Sequence, residues 1–438
     1  MSDLLDAVRA GAEAAELLDC ELPTRFRAAY TLKDEVGIFE GETDKDVRRS
    51  LHVGDVEMPE LAPDECVVAV MSAAINFNTV WSAIFEPIPT FAFLEKFGRQ
   101  GWNGARHNLP YHILGSDGSG VVVRTGIGVK HWKVGDKVVI SPSYVDEEDH
   151  ASYDDGMMTE TQLAWGFETN FGSLGEYCIV KANQLIKKPR HLSWEESAAN
   201  TLCASTAYRM LVGKHGAQMK QGDVVLVWGG TGGLGSYATQ LVKNGGGIPV
   251  AVVGSDKKAD LVRSQGCEHV INRNDLELGE QGFRHPKAGR MLGEAVRRLV
   301  GEDPQIVFEY LGRETFGASV YVARRGGKIV TCGSSTGFKH EYDNRFLWMR
   351  LKSIIGSHGF NYHEAVETNR LISLGMIHPT LSKVFPLDQA ADATRAVQTN
   401  QHTGKVAVLC GAKEENQGID DHALRERIGE DKINLYRH

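Results

Sequence analysis

Two hydrophobic rhythms divide this chain. From about residue 53 to 190, short β-rich runs alternate with glycine and turn residues: Cys66-Val67-Val68-Ala69-Val70-Met71, then Gly120-Val121-Val122-Val123-Arg124, then Val134-Gly135-Asp136-Lys137-Val138-Val139-Ile140. Runs bounded in this way predict the strands of a small β-barrel. From about residue 200 the rhythm changes to strand then helix. Val224-Val225-Leu226-Val227-Trp228 precedes a glycine turn and a helix to about Lys243, and Pro249-Val250-Ala251-Val252-Val253 opens a second such unit. Val270-Ile271, Ile306-Val307-Phe308 and Lys328-Ile329-Val330-Thr331 continue the series. Buried runs alternating with helices predict an α/β domain with a doubly wound parallel sheet. The expected division is 1–205 for the barrel, 206–356 for the α/β domain and 357–438 for a return to the first, with the chemistry in the cleft between them. Residues 84–111, rich in aromatics and proline, and the acidic stretch from Val145 to Thr161 read as insertions. Met1 to Glu21 predicts an amphipathic helix. The charged stretch from Lys413 to His438 predicts a surface helix or arm available to a subunit contact.

Composition narrows the classes. A chain of 438 residues that is 42% hydrophobic is long enough to bury two cores. The net charge of -9 argues against nucleic acid or an acidic membrane as the main partner, while a local basic patch could still serve a phosphorylated small molecule. No apolar run reaches the roughly 18 residues that a membrane span needs. The seven cysteines are an odd count without a CxxC pair, which supports neither a disulfide framework nor a structural zinc lobe and points to reducing cytoplasm.

Gly230-Thr231-Gly232-Gly233-Leu234-Gly235 follows an apolar strand and opens a helix. Its glycines let the backbone turn tightly and bring a diphosphate up to the helix amino terminus, where the dipole favours anions. The motif alone is weak, and its strand-turn-helix setting makes it a dinucleotide site. At the end of the second strand, NAD enzymes usually carry an acid for the ribose 2′-hydroxyl. Here the segment is Gly254-Ser255-Asp256-Lys257-Lys258, where Ser255 and Lys258 suit a 2′-phosphate and Asp256 is the dissenting residue. NADPH is the expected cofactor, held by Gly230, Gly232, Gly233, Gly235, Ser255 and Lys258, with Thr206 completing the set.

With the barrel, Gly115-Ser116-Asp117-Gly118-Ser119-Gly120 and the late dinucleotide domain, the chain resembles the medium-chain dehydrogenase/reductase superfamily, which implies a GroES-like catalytic domain and a Rossmann domain. Zinc-dependent alcohol dehydrogenases of that superfamily carry a His-Glu pair where this chain has Ser116-Asp117. No metal is therefore expected, and hydride should go to an already polarised conjugated double bond. The resemblance narrows to crotonyl-CoA carboxylase/reductases and their longer-chain relatives. It is carried by Asn76 to Trp81 with Phe85-Glu86-Pro87, Trp165 to Gly172, Gly312 to Gly317, His340 to Arg345 with Leu347-Trp348, Gly356-Ser357-His358 and Ile377 to Lys383.

The resemblance implies NADPH-dependent reduction of a 2-enoyl-CoA and trapping of the enolate by carbon dioxide, giving an alkylmalonyl-CoA. It implies that Asn78, Glu168 and His358 orient carbon dioxide, Glu168 through a water, while Phe167 shields the site. Arg345 with Arg324 or Arg325 is the candidate for the CoA phosphates. A homo-oligomer, dimer or tetramer, is expected from the family alone. Two positions depart from the crotonyl pattern by losing volume: Gly359 stands where phenylalanine is usual, and Ala164 where isoleucine is. If both line the acyl pocket, a medium-chain substrate is favoured, unless Phe360 refills the space beside Gly359. Three alternatives stay open: crotonyl-CoA as main substrate, giving ethylmalonyl-CoA; an NADPH-dependent enoyl-CoA or quinone reductase without carboxylation; and a non-catalytic member of the superfamily.

Overall fold

The strand Glu65–Ile75 organises the barrel, and all of its residues are buried. In the computed structural model, which describes residues 3–437, its side chains alternate between two cores. Cys66, Val68 and Val70 face a core with Leu114, Val122, Val138 and Trp165, whereas Val67, Ala69 and Met71 face one with Leu4, Phe26 and Trp194. Burial on both faces explains an apolar run without a polar alternation. The strand pairs antiparallel with Gly118–Thr125, Tyr177–Lys181 and Lys405–Leu409. The last of these follows the α/β domain and lies parallel to Leu381–Pro386, so the chain returns to the barrel after leaving it.

The second sheet holds six parallel strands in the order His269–Asn272, Ile248–Val253, Val224–Trp228, Ile306–Glu309, Lys328–Thr331, Ser353–Gly356. This is the Rossmann order. Its direction reverses between Val224–Trp228 and Ile306–Glu309, and ligands bind outside the carboxyl ends of strands at such a point. Val225 and Val227 pack under helix Gly233–Asn244, and Val224, Leu226 and Trp228 pack on the opposite face.

Other expectations are corrected. The amino-terminal helix is two short ones, Leu4–Arg9 and Ala14–Asp19, interrupted at Gly11, whose φ of 75° breaks helical geometry. The aromatic insertion carries the helices Thr90–Gly98 and Trp102–Ala105. The charged tail is no solvated arm: its helices His422–Ile428 and Glu430–Asn434 dock through Ile433, fully buried in the Rossmann core, and through buried Arg425, paired with Glu196 at 2.7 Å. Among the described residues, no helix is long and apolar enough to cross a membrane.

Candidate active site

The glycine turn follows Val224–Trp228 directly. Gly232 N donates to Gly229 O at 2.9 Å, and the helix Gly233–Asn244 starts there. A Cβ at Gly235 would lie 2.2 Å from Gly229 O, and one at Gly230 would lie 2.8 Å from Ala251 Cβ. Only glycine permits this closeness, so the turn fits the backbone cradle a dinucleotide diphosphate requires. Gly404 N donates to Thr231 O at 2.7 Å, tying the returning chain to the turn.

At the end of the second strand, Ser255 caps helix Asp256–Ser264, its Oγ accepting from Lys258 N at 3.3 Å. The dissenting Asp256 accepts from Asn272 Nδ2 at 2.8 Å. Arg273 lies alongside: a Cβ on Gly254 would stand 3.3 Å from its Nε. Burial first, and then the charge of Arg273, lower the pKa of Lys258. The sequence reading misses Arg273 because it follows the third strand, outside the segment in which cofactor choice is read. Arg273, Asn274, Leu311, Thr315 and Thr336 share the lining of a cavity of about 300 Å³. Thr206 is buried on helix Thr201–Leu211.

The segment Trp165–Gly172 is fixed from several sides. Ala164 O accepts the amides of Phe167, Glu168 and Thr169 at 3.2, 2.7 and 3.3 Å. Glu168 Oε2 accepts Ala164 N at 2.8 Å, so the carboxylate clasps its own turn. The buried Asn170 side chain accepts from Ile113 N and donates to Tyr111 O, both at 2.8 Å. His107 Nδ1 accepts from Asn170 N at 3.1 Å, and His112 Nε2 lies 3.1 Å from Thr169 O. Burial pushes these imidazoles down to about 3 and about 4 respectively, so both are neutral. The Phe167 ring lies 6.0 Å from that of Phe93.

This segment packs tightly on the connection 114–117 that carries Ser116 between strands Tyr111–Ile113 and Gly118–Thr125, since a Cβ at Gly166 would fall 2.0 Å from Gly115 O and one at Gly172 would fall 2.4 Å from Leu114 O. Ser116 Oγ accepts from Asn78 Nδ2 at 2.8 Å. Asn78 Oδ1 is buried without a hydrogen-bond partner among the described residues. Its neighbour Asp117 is fully buried, accepting from Asn76 Nδ2 at 2.9 Å, Leu202 N at 2.8 Å and Lys405 Nζ at 3.1 Å. Burial raises the Asp117 pKa, opposed mainly by Lys405. Ser116 and Asp117 are thus both engaged by protein groups. Among the described residues, no group of three or more His, Cys, Asp or Glu side chains is placed to hold a metal.

His358 follows strand Ser353–Gly356 and is exposed. Gly359 takes a φ of 51°, and a Cβ there would lie 3.0 Å from Met157 Cε. Phe360 is fully buried against Val139, Ile186 and Ala365, and apart from the chain neighbours of Gly359 the side chain nearest its Cβ position is Met157. Ser143 joins the two small positions: its Oγ donates to Phe360 O at 2.6 Å, and it stands opposite Ala164 in the Ser143–Tyr144/Leu163–Ala164 ladder. Asn78, Phe167 and Glu168 therefore share contacting segments, and the segment of His358 reaches them through Ser143. No hydrogen bond links these four side chains to one another among the described residues.

The basic candidates lie in the Rossmann domain, whose Phe338 ring lies 6.0 Å from that of Trp81 on the Asn78 helix Phe77–Ile84. Arg345 is exposed and pairs with Asp343 at 2.6 Å, and Arg325 Nη1 donates to Met349 O at 3.1 Å. Arg324 lies 4.0 Å from Glu302. Two of the sequence blocks meet here: the Phe316 and His340 rings stack at 4.3 Å.

Residues 62–190 match the alcohol dehydrogenase GroES-like domain, and residues 233–373 match the zinc-binding dehydrogenase family. The crotonyl-CoA reductase of Streptomyces collinus is 52% identical over 444 aligned residues, spanning 100% of this chain and 99% of the relative. The crotonyl-CoA carboxylase/reductase of Cereibacter sphaeroides is 38% identical over 85% of each chain. The 2-octenoyl-CoA carboxylase reductase CinF from a Streptomyces species, solved in complex with NADP and 2-octenoyl-CoA, superposes with a TM-score of 0.97 at 56% identity, covering 100% of this chain and 99% of that one. Full-length identity of this order, on the Rossmann and GroES-like fold just described, places the chain in the crotonyl-CoA carboxylase/reductase family.

Proposed function

We propose that this protein reductively carboxylates a medium-chain 2-enoyl-CoA to an alkylmalonyl-CoA with NADPH. The observation that carries the chain length is that Ser143 stands opposite Ala164 and donates to Phe360 O, next to Gly359, so one residue links the segments of two positions that are small where the crotonyl pattern is large. The likeness to CinF, solved with 2-octenoyl-CoA, supports the same reading.

Bound NADPH supplies the hydride. The turn Gly230–Gly235 would hold its diphosphate, and Ser255, Lys258 and Arg273 its 2′-phosphate. Arg325 and Arg345 would serve the CoA phosphates. Reduction at the β-carbon leaves charge on the α-carbon and thioester oxygen, and any nearby acid or water will quench it. Phe167, packed towards Phe93, keeps water out. Asn78, whose amide Ser116 orients, has a second N–H to offer one oxygen of carbon dioxide. Glu168 and His358 act on the other side. On domain limits of 1–205, 206–356 and 357–438 this chemistry falls between barrel and Rossmann sheet, with Ile372, Ile377 and Ile433 of the last stretch packed in the Rossmann core. A dimer or tetramer of this chain fits the outer edge of that sheet, where strand Ser353–Gly356 has a neighbour on one side only and Trp348, Met349 and Leu351 are exposed.

The test is NADPH oxidation with octenoyl-CoA and with crotonyl-CoA, with and without bicarbonate and carbonic anhydrase, followed by mass spectrometry. An alkylmalonyl-CoA product and a higher kcat/KM for the octenoyl chain are expected. A saturated acyl-CoA as sole product would make the enzyme a plain reductase, and a preference for crotonyl-CoA would remove the chain-length assignment. Ala164→Ile should lower the octenoyl-to-crotonyl ratio by roughly tenfold. Gly359→Phe is a poorer probe, because its φ of 51° strains a bulky residue and its Cβ would press on Met157.

A further inference from the structure

The acidic stretch that reads as an insertion delivers one side chain to the turn that bears Gly359. A Cβ at Gly359 would lie 3.0 Å from Met157 Cε and 3.9 Å from its Sδ, so the thioether end of Met157 fills the space in front of Gly359. Its backbone is held there firmly. Asp155 Oδ1 accepts Met157 N at 3.1 Å, and Asp155 is itself buried. Arg209 grips that carboxylate through Nη2 at 2.7 Å and Nη1 at 3.2 Å, and Nη1 also donates to Glu364 at 2.8 Å. Asn361 Nδ2 donates to Asp155 Oδ1 at 3.2 Å, while the Asn361 and Glu364 side chains form the capping box of helix Tyr362–Ser373. One buried ionic cluster therefore fixes both Met157 and the turn bearing Gly359.

We infer that Met157 is the end wall of the acyl pocket and sets, with Ala164, the longest tail the enzyme accepts; this rests on the placement of the tail between Ala164 and Gly359 proposed above. The glycine removes a rigid wall, and an unbranched, flexible side chain from another segment stands in its place. Methionine has three side-chain torsions and a polarizable sulfur, so it can fold aside for a longer tail and close over a shorter one. The pocket thus has a yielding stop, and the anchored backbone behind it confines the adjustment to the Met157 side chain. Asp155 and Arg209 act on the tail only through Met157 and the Gly359 turn, as positioning residues.

The experiment measures kcat/KM for crotonyl-, octenoyl- and dodecenoyl-CoA in Met157→Ala, Met157→Phe and Met157→Leu, with Ala164→Ile run in parallel. Met157→Ala should raise the dodecenoyl-to-octenoyl ratio by roughly tenfold or more, since one methylene in a fitted pocket already discriminates by about tenfold or above. Met157→Phe should lower the octenoyl-to-crotonyl ratio by a similar factor. Met157→Leu, which conserves volume, should keep both ratios within about twofold. If Ala164→Ile shifts the ratios and neither Met157→Ala nor Met157→Phe does, Met157 is not the stop and the tail still lies beside Ala164. If none of the variants shifts them, the placement of the tail itself is wrong. Should Met157→Ala fail to fold, the comparison of Met157→Phe with Met157→Leu decides the matter alone.

Discussion

The Asn78 amide donates to Ser116 Oγ at 2.8 Å, so a residue standing in the place of the His-Glu pair of zinc-dependent alcohol dehydrogenases orients the group proposed above for carbon dioxide. Asn78→Leu should retain NADPH oxidation while raising the share of saturated acyl-CoA over alkylmalonyl-CoA. Ser116→Ala should raise it less, by roughly fivefold, the worth of one net hydrogen bond of about 1 kcal/mol. Mass spectrometry of the products gives the ratio. Identical ratios in both variants and the unmodified enzyme would withdraw Asn78 from the carboxylation step.

Glu168 has two separable duties. Its Oε2 holds Ala164 N at 2.8 Å, and its charge belongs to the carbon dioxide site proposed above. Glu168→Gln keeps an oxygen acceptor for the turn, whereas Glu168→Ala loses it. Both should shift product towards the saturated acyl-CoA, and only Glu168→Ala should lower the urea unfolding free energy, by about 1 kcal/mol. A product ratio unmoved in Glu168→Gln would leave the carboxylate a purely structural part.

Cofactor choice should depend on pH in a predictable direction. The charged form of Lys258 would pair with a 2′-phosphate in the site proposed above, and burial together with Arg273 makes that charge easier to lose than in an exposed lysine. The NADPH-to-NADH ratio of kcat/KM should therefore fall as pH rises through the alkaline range, sooner than for an exposed lysine. Lys258→Met and Arg273→Met should each lower the ratio by about tenfold or more, the scale of a charge-assisted hydrogen bond, and Lys258→Met should flatten its pH profile. Ser255→Asp should weaken NADPH binding by repulsion. An unmodified enzyme that uses both cofactors equally would contradict the whole assignment.

Acid should destabilise the fold through the histidines beneath the Trp165–Gly172 segment. His107 and His112 have folded-state pKa values lowered by burial to about 3 and about 4. Below pH 6.5 or so the unfolded chain binds these protons and the folded one does not, so stability is complete above that pH and is lost as pH falls towards the folded values. Each histidine contributes about 1.4 kcal/mol per pH unit in that window, so the two together should remove roughly 2 kcal/mol between pH 7 and pH 5.5. Urea unfolding at the two pH values measures this. Equal stability at both would show that the imidazoles are not held neutral.

What could be read from the chain follows burial. Val224–Trp228 and Lys328–Thr331 coincide with apolar runs because both faces of those strands are covered. Ser353–Gly356 escapes notice because an edge strand with exposed and half-buried residues has no need of such a run. The glycine turn and Ser255 are legible because their spacing falls directly after a strand and at the start of a helix. Asn78, on helix Phe77–Ile84, and Glu168 and His358 emerge only through resemblance, since a polar side chain at such a position looks like any other until its neighbours are known. Arg273 and Met157 have no local signal at all. Their neighbours, Gly254 and Gly359, come from distant parts of the chain.

The late return of the chain bears on how the molecule is made. Ser72, in the strand at the heart of the barrel, reaches its partner Val408 across 336 residues. At ribosomal rates of about 5 to 20 residues per second, that separation is roughly 15 to 70 s of synthesis. Throughout it the Rossmann portion is emerging and can close on itself, while the Ser72–Ile75 half of the strand, beyond the part paired with Tyr177–Lys181, waits with one backbone edge open. The species most exposed to aggregation is thus the half-made polypeptide, and soluble yield in a recombinant host is governed by what shelters that edge until Lys405–Leu409 arrives.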